Sequence, residues 1–335
     1  MITAIASDPI KYSDLHLQTA VCVCLSKFML VSEKFCKSHL RLLFTILEKT
    51  SEPKIKINTN ICCGDLCIRT PNLLDAWTPK LYLSLNSSNL NVRRAAFKVI
   101  SRLILADMVK VKEQISEIAK VIVDPDANLS NMSKIFFVDL AKKNNNAIYN
   151  ILPDVISHLS NERLGVNEEA FEAIMKHLFD LIEKERQTVC LTEKLCQRFK
   201  VAENEREWAG LSYCLTLVQI GDKSVAKIFE NIACFSDKLV IDRVYENFVL
   251  LIGNIRKQTG LKQPTKEQLE EFEKKVEEFR NKGLEKNATK AAEQLEAEMA
   301  EANESGEPAA EDQATADDQA TADDQATAED SMEVD

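Results

Sequence analysis

Three cysteines lie within six residues, at Cys62, Cys63 and Cys67, in the stretch CCGDLC. Closely spaced thiolates are common zinc ligands and redox groups. A closed zinc site needs four ligands, however, and this stretch has no C-x-x-C pair, no second cysteine pair at zinc-finger spacing and no histidine close in sequence. The spacing therefore does not predict a metal centre, and the alternative is that these thiols fill space in an apolar core.

Other catalytic arrangements are missing from the sequence. The four histidines, His16, His39, His158 and His177, form no H-x-x-x-H or H-E-x-x-H motif. The sequence also contains no phosphate-binding G-x-x-x-x-G-K-[ST] or G-x-G-x-x-G loop. We therefore predict a protein that is not an enzyme and that uses no cofactor and no small-molecule substrate.

Basic residues form the most informative candidate site in the sequence. Arg94, Lys98 and Arg102 are spaced four residues apart and would line one stripe of a helix, where they can follow a phosphate backbone. The alternative is a solvated ridge in which Arg93 contacts the neighbouring repeat, because no aromatic platform accompanies the stripe. The predicted DNA- or partner-contacting set is Arg93, Arg94, Lys98, Arg102, Lys110 and Lys112.

An internal repeat places these residues on helices. The segments that begin at Ile55, Val92 and Leu129 follow one another at 37 residues, and the segment at Leu17 begins 38 residues before the first of them. Aligned, they share apolar columns at offsets of 7, 8 and 11 residues, which fall on one face of an α-helix. The columns are Leu17/Ile55/Val92/Leu129, Cys24/Cys62/Val99/Phe136, Leu25/Cys63/Ile100/Phe137 and Phe28/Leu66/Leu103/Leu140.

The second half of each repeat has the same period. Leu81, Ile118 and Val155 lie 37 residues apart, so each repeat reads as a pair of helices. A helix pair at this period is typical of a HEAT or armadillo α-solenoid. We predict an all-α fold with a lead-in over residues 1–12 and a solenoid of about six helix pairs over residues 13–257. In this fold Cys62, Cys63 and Cys67 belong to the core.

Composition agrees with a helical core. Of the 335 residues, 45% are hydrophobic, and glycine and proline number only eight each. No run of about 18 apolar residues predicts a membrane span, and the first residues do not have the pattern of a secretory signal. We therefore expect no membrane partner, and the ten cysteines should be reduced thiols of a cytosolic or nuclear protein.

The C-terminal part has a different character. Residues 258–300 predict a charged amphipathic helical segment in which Leu269, Phe272, Val276 and Phe279 share one face, which either caps the solenoid or binds a partner. Residues 301–335 repeat an acidic six-residue unit, and we predict a disordered tail that solvates the chain, shields a basic surface or binds basic partners such as histones. Residues 263–335 carry a net charge of −16, and residues 1–262 carry +5.

The third and fourth repeats resemble a known family. The stretches LILADMVKVK and IYNILPDVISHLS are similar to the C-terminal HEAT region of the condensin subunit 1 family, and the resemblance covers residues 13–256. Members of that family are much longer, so this chain would correspond to their C-terminal portion. The family usually has Asn and Gly where this chain has Ala106 and Glu113.

The resemblance implies a function for the solenoid. It implies a non-catalytic subunit that binds the kleisin and SMC subunits of condensin in mitotic chromosome condensation. The expected contact with DNA rests on the basic stripe, and that with histones rests on the acidic tail. The resemblance also implies a location in the nucleus and on mitotic chromosomes, with a cytoplasmic pool. The alternative is a generic HEAT-repeat adaptor outside condensin, which LILADMVKVK disfavours.

Overall fold

The structure is a computed structural model that describes residues 1–109, 114–143, 146–161, 166–257 and 263–304. Within these ranges the chain is all-α and contains no strand. The helices are α1 (Ile2–Ser7), α2 (Leu15–Val31), α3 (Glu33–Lys49), α4 (Pro53–Arg69), α5 (Pro71–Leu74), α6 (Thr78–Tyr82), α7 (Leu90–Leu105), α8 (Ile115–Lys120), α9 (Ala127–Lys142), α10 (Ala147–Ser160), α11 (Glu168–Phe179), α12 (Glu185–Arg198), α13 (Glu205–Leu217), α14 (Asp222–Glu230), α15 (Asp242–Lys257) and α16 (Gln263–Glu304).

Polar caps fix where the first helices of the repeats begin. The side chains of Asp14, Asn89 and Asp126 each accept a hydrogen bond from a backbone amide in the first turn of α2, α7 and α9. Such caps satisfy amides that have no partner inside the helix. Pro71 lies at the start of α5, and Pro79 lies in the first turn of α6. The second half of this repeat is therefore divided into short helices.

The helices pair and stack as a solenoid. First helices pack on one another along the chain, α2 on α4, α4 on α7 and α7 on α9, and later α11 on α13 and α13 on α15. Second helices form their own layer, in which α10 packs on α12 and α12 on α14. The predicted all-α solenoid is confirmed. In the described residues α2 to α14 form six helix pairs, and α15 and the amphipathic helix α16 follow them.

The cysteine cluster lies inside this stack. Cys62, Cys63 and Cys67 are buried in α4. The equivalent positions Ile100 and Phe137 are buried as well, as the repeat predicts. Burial raises the pKa of Cys62 to about 11, with a smaller opposing effect of the Ser26 hydroxyl. The interpretation of these thiols as core residues is confirmed.

The first repeat departs from the predicted pattern. Leu17, Cys24 and Phe28 are exposed, although the residues of the same columns in the next repeat are buried. Leu25 of the neighbouring column is buried and belongs to the hydrophobic core. The prediction of a buried apolar face is therefore wrong for α2, where no described helix precedes it in the layer of first helices.

The chain divides into two units, of which the first is Met1–Glu285 and the second begins at Lys286 and is described as far as Glu304. Within the first unit, Leu269, Phe272 and Val276 of α16 are buried. The Phe272 ring packs edge-on against Phe229 and Phe248. In the second unit α16 continues to Glu304, and residues 305–335 of the predicted tail lie outside the described residues. No described helix is both long and apolar enough to cross a bilayer.

Candidate interaction surface

The basic residues at the start of α7 are held in ion pairs. The Arg93 guanidinium donates to both carboxylate oxygens of Asp124, at 2.8 and 3.1 Å, and to the carbonyls of Ser87 and Ser88. Its side chain is only 15% exposed, and that of Asp124 is 8% exposed. Arg93 therefore joins its repeat to the next one, which was the structural alternative considered for it.

Arg94 is paired in the same way. Its guanidinium donates to both carboxylate oxygens of Asp126, at 3.0 and 2.9 Å. The pKa of Asp126 is lowered, chiefly because the carboxylate accepts a hydrogen bond from the Leu129 backbone amide and then because it faces Arg94. Asp126, which caps α9, thus also fixes the Arg94 side chain, and its carboxylate compensates most of the positive charge of Arg94.

Two members of the predicted stripe remain open to a partner. Lys98 and Arg102 are exposed, lie four residues apart on α7 and have no carboxylate partner among the described residues. We refer to this pair as the α7 ridge. Asp65 of α4 and Asp139 of α9 share the repeat column of Arg102, so the first helices on either side of α7 carry an acidic residue where α7 carries a basic one. The predicted contacts Lys110 and Lys112 lie outside the described residues.

Sequence analysis did not identify the acidic partners of the arginines. Asp124 and Asp126 belong to the segment VDPDAN, which leads into the first turn of α9 and lies outside the apolar columns of the repeat. The signal that would have found them is their separation of 31 and 32 residues from Arg93 and Arg94, slightly less than one repeat. The two ion pairs hold the loop before α9 next to the start of α7.

Further polar ties join successive repeats. Asp107 has a left-handed backbone, with φ of 57°, just after α7, and its carboxylate accepts a hydrogen bond from Lys143 at 2.8 Å. The Asn146 amide donates to the Leu181 carbonyl at 2.7 Å. Such side-chain bonds to exposed helix ends satisfy carbonyls that the helices leave unpaired. These contacts are structural, and among the described residues of its repeat the α7 ridge is the cationic surface that they leave free.

Within the described residues, no three His, Cys, Asp or Glu side chains are placed to hold a metal ion. The geometry there consists of packed helix pairs, inter-repeat ion pairs and exposed helix faces. Such faces act through contact with other macromolecules. The fold and surface define a HEAT-repeat scaffold.

The comparison with known proteins gives the family. Residues 54–216 match the family described as non-SMC mitotic condensation complex subunit 1. This segment therefore belongs to the condensin subunit 1 family, and the chain around it is homologous to the members of that family. The segment runs from α4 to α13 and includes the α7 ridge.

Individual relatives agree with the family match. The chain is 44% identical over 285 residues to condensin complex subunit 1 of Xenopus laevis, which covers 85% of this chain and 21% of that protein. It is 43% identical to condensin complex subunit 1 of Mus musculus, over 85% of this chain and 20% of that protein. It is 38% identical to condensin-1 complex subunit CAP-D2 of Arabidopsis thaliana, over 82% of this chain and 19% of that protein.

The chain thus spans about a fifth of the length of the relatives it matches. Among solved structures, an engineered protein superposes with a TM-score of 0.34 at 10% identity, over 81% of this chain and 71% of its own. That similarity is too low to support a fold or a function, so the family match alone carries the functional conclusion.

Proposed function

We propose that this chain acts as a non-catalytic HEAT-repeat subunit, or part of one, within condensin, and that it binds the kleisin and SMC subunits of that complex. The observation that carries the proposal is the family match over residues 54–216. The match covers consecutive helix pairs that pack on one another, so it includes both faces of a folded scaffold. The site of action would be mitotic chromosomes in the nucleus.

Co-purification tests the proposed partners. A tagged chain expressed in dividing cells is recovered from mitotic extract, and the kleisin and SMC subunits are measured by quantitative mass spectrometry. We expect both to be enriched over a tagged HEAT protein unrelated to condensin. Recovery of neither subunit would contradict the proposal.

We also propose that the chain contacts DNA, and that it does so through the α7 ridge. Arg93 and Arg94 are already paired with carboxylates, so Lys98 and Arg102 are the side chains free to neutralise phosphates. One helical turn separates them, which allows contact with two phosphates of a duplex. Neither residue reads a base edge in this arrangement, so the expected binding is independent of sequence.

The ridge is tested with charge reversals. Lys98→Glu combined with Arg102→Glu should weaken binding to a 30-base-pair duplex and reduce the slope of log K against log salt by about 1.8, because each phosphate contact contributes about 0.9. Lys34→Glu combined with Lys37→Glu, two exposed residues of α3, is the matched control of equal charge change. Equal losses in both variants would show only a general charge effect, and an unchanged salt slope in the ridge variant would contradict DNA contact.

A further inference from the structure

The α7 ridge lies between two helices that expose isoleucine at the equivalent position. Ile61 of α4 and Ile135 of α9 lie 37 residues before and 37 residues after Lys98, so the three side chains share one column of the repeat. Ile61 is 46% exposed and Ile135 is 61% exposed, and Lys98 is exposed as well. This column therefore runs across the solvent-exposed faces of three first helices.

Packing places these three helices side by side. Val99 of α7 packs against Gly64 of α4, and the Phe136 ring of α9 meets Phe97 of α7 edge-on, with ring centroids 6.1 Å apart. The axes of packed helices are about 8–10 Å apart, and three residues of an extended chain span about 10 Å. An extended segment that crosses the three helices would therefore place every third residue over the next helix.

The isoleucines give this surface an apolar part. Ile68, two turns after Ile61 on α4, is also 49% exposed. Single exposed apolar side chains are common on folded proteins, but here isoleucines lie on both sides of a cationic pair and in the column of Lys98. A phosphate backbone gains nothing from isoleucine, whereas the apolar side chains of a protein would remove it from water. The flanking residues therefore favour a protein segment as the occupant.

The charges on the same three helices select where an acidic residue can lie. Lys98 and Arg102 of α7 have no carboxylate partner among the described residues. In the column of Arg102, α4 carries Asp65 and α9 carries Asp139. A carboxylate is therefore attracted over α7 and repelled over α4, while over α9 it meets Asp139, which is already paired with Lys142 at 3.2 Å. Charge complementarity thus favours a segment that is acidic at its centre and apolar at its ends.

We propose that an extended segment of a partner protein binds across α4, α7 and α9, on a surface that we call the three-helix surface: Ile61, Ile68, Lys98, Arg102 and Ile135. The segment has an acidic residue that pairs with the α7 ridge, and an apolar residue three positions away on each side that packs on the isoleucines of α4 and α9. This spacing is the same in both chain directions. Binding of the segment is independent of the proposed DNA contact. Because both ligands use the α7 ridge, a bound segment excludes DNA from it, and only this exclusion rests on the proposed function.

Two peptides of identical composition test the proposal. The fluorescein-labelled peptide GSLSSESSLSG carries leucine, glutamate and leucine at the required spacing, and GSESSLSSLSG carries its glutamate at one end instead. Each peptide is titrated with the full chain, up to millimolar concentration, and its fluorescence anisotropy is measured. We expect saturable binding of the first peptide and binding about tenfold weaker, or none, for the second, because its central leucine cannot pair with the α7 ridge.

Variants separate the apolar contacts from the cationic ones. Ile61→Ser combined with Ile135→Ser should weaken binding of the first peptide about tenfold, because the segment then loses its apolar contacts on both sides. The same variant should bind the 30-base-pair duplex as the unmodified chain does. Val249→Ser combined with Leu250→Ser, at two exposed positions of α15, is the matched control and should leave both ligands unaffected. Circular dichroism checks that each variant keeps its helical fold.

The outcomes separate this inference from the proposed DNA contact. Equal binding of the two peptides, binding of neither, or undiminished peptide binding by the isoleucine variant would overturn the three-helix surface. Excess of the first peptide should displace the duplex, and simultaneous binding of both would refute the shared ridge. Duplex binding that persists without peptide binding would remove only this inference, whereas peptide binding without duplex binding would support it and contradict only the DNA contact.

Discussion

Gly64 allows α4 and α7 to approach closely, and its replacement gives the sharpest test of the packing described above. A Cβ atom at this position would lie 2.6 Å from Cγ1 of Val99. Valine is branched at Cβ and has few rotamers in a helix, so it cannot simply turn away. We predict that Gly64→Ala destabilises the protein, although the same substitution in an exposed helix would stabilise it.

The size of the effect follows from two opposing contributions. Alanine in a helix interior is favoured over glycine by about 1 kcal/mol. Overpacking a core costs typically about 1–3 kcal/mol. Gly64→Ala should therefore lower the free energy of unfolding by roughly 0–2 kcal/mol. After Val99→Ala removes the clash, the same change at Gly64 should raise the free energy of unfolding by about 1 kcal/mol.

A double-mutant cycle measured by urea unfolding separates these contributions. The four proteins are the unmodified chain, the two single variants and the double variant, each with its free energy of unfolding and m-value. A coupling of about 1–3 kcal/mol between Gly64 and Val99 is expected. If Gly64→Ala stabilises both backgrounds equally, the two helices do not approach as described.

Three further predictions concern the thiols and the ion pairs. Burial raises the pKa of Cys62 to about 11, so this thiol should react with a disulfide reagent at pH 8 only after unfolding, while the exposed Cys24 reacts at once. Similar reaction rates of Cys62 and Cys24 in the folded protein would contradict the packing. Arg93→Ala should lower the free energy of unfolding by about 1.5–3 kcal/mol in thermal denaturation, because it leaves the Asp124 carboxylate, whose side chain is 8% exposed, without its cation. A loss no larger than that caused by Lys98→Ala at an exposed position of α7 would refute this. The pKa of Asp126 is lowered by the Leu129 backbone amide and the Arg94 guanidinium, so its stabilisation is present above the pKa of the unfolded chain and is lost as the pH falls through the lowered pKa. Asp126→Asn should therefore reduce the loss of stability below about pH 4 in acid titrations, and an unchanged loss of stability would argue against the cap.

The repeat could be read from the sequence because the columns are apolar in each copy. This pattern correctly placed Cys62 and Cys63 in the core, since a residue on the same face of an equivalent helix meets an equivalent neighbour. The same argument was wrong at Leu17 and Phe28, because burial also needs a neighbouring helix that the described chain does not provide to α2. A column predicts which face packs, and the neighbour decides whether it is buried.

The candidate site was only partly predictable for a related reason. The spacing of Arg94, Lys98 and Arg102 correctly predicted one stripe of a helix. The acidic residues that pair with Arg93 and Arg94 come from the next repeat and lie in a loop, where helical periodicity gives no information. The basic stripe is therefore shorter than predicted in the described residues, and Lys98 and Arg102 carry the remaining DNA proposal.

Direct binding to the kleisin subunit tests the central claim most directly. Purified chain is titrated with the purified kleisin of condensin by isothermal titration calorimetry, with a kleisin from a different SMC complex as the matched control. The chain with Lys98→Glu and Arg102→Glu is titrated in parallel, so that partner binding is separated from DNA binding. The proposed function predicts saturable binding to the condensin kleisin alone, retained in the ridge variant. No heat of binding at tens of micromolar chain, or equal binding to both kleisins, would contradict it.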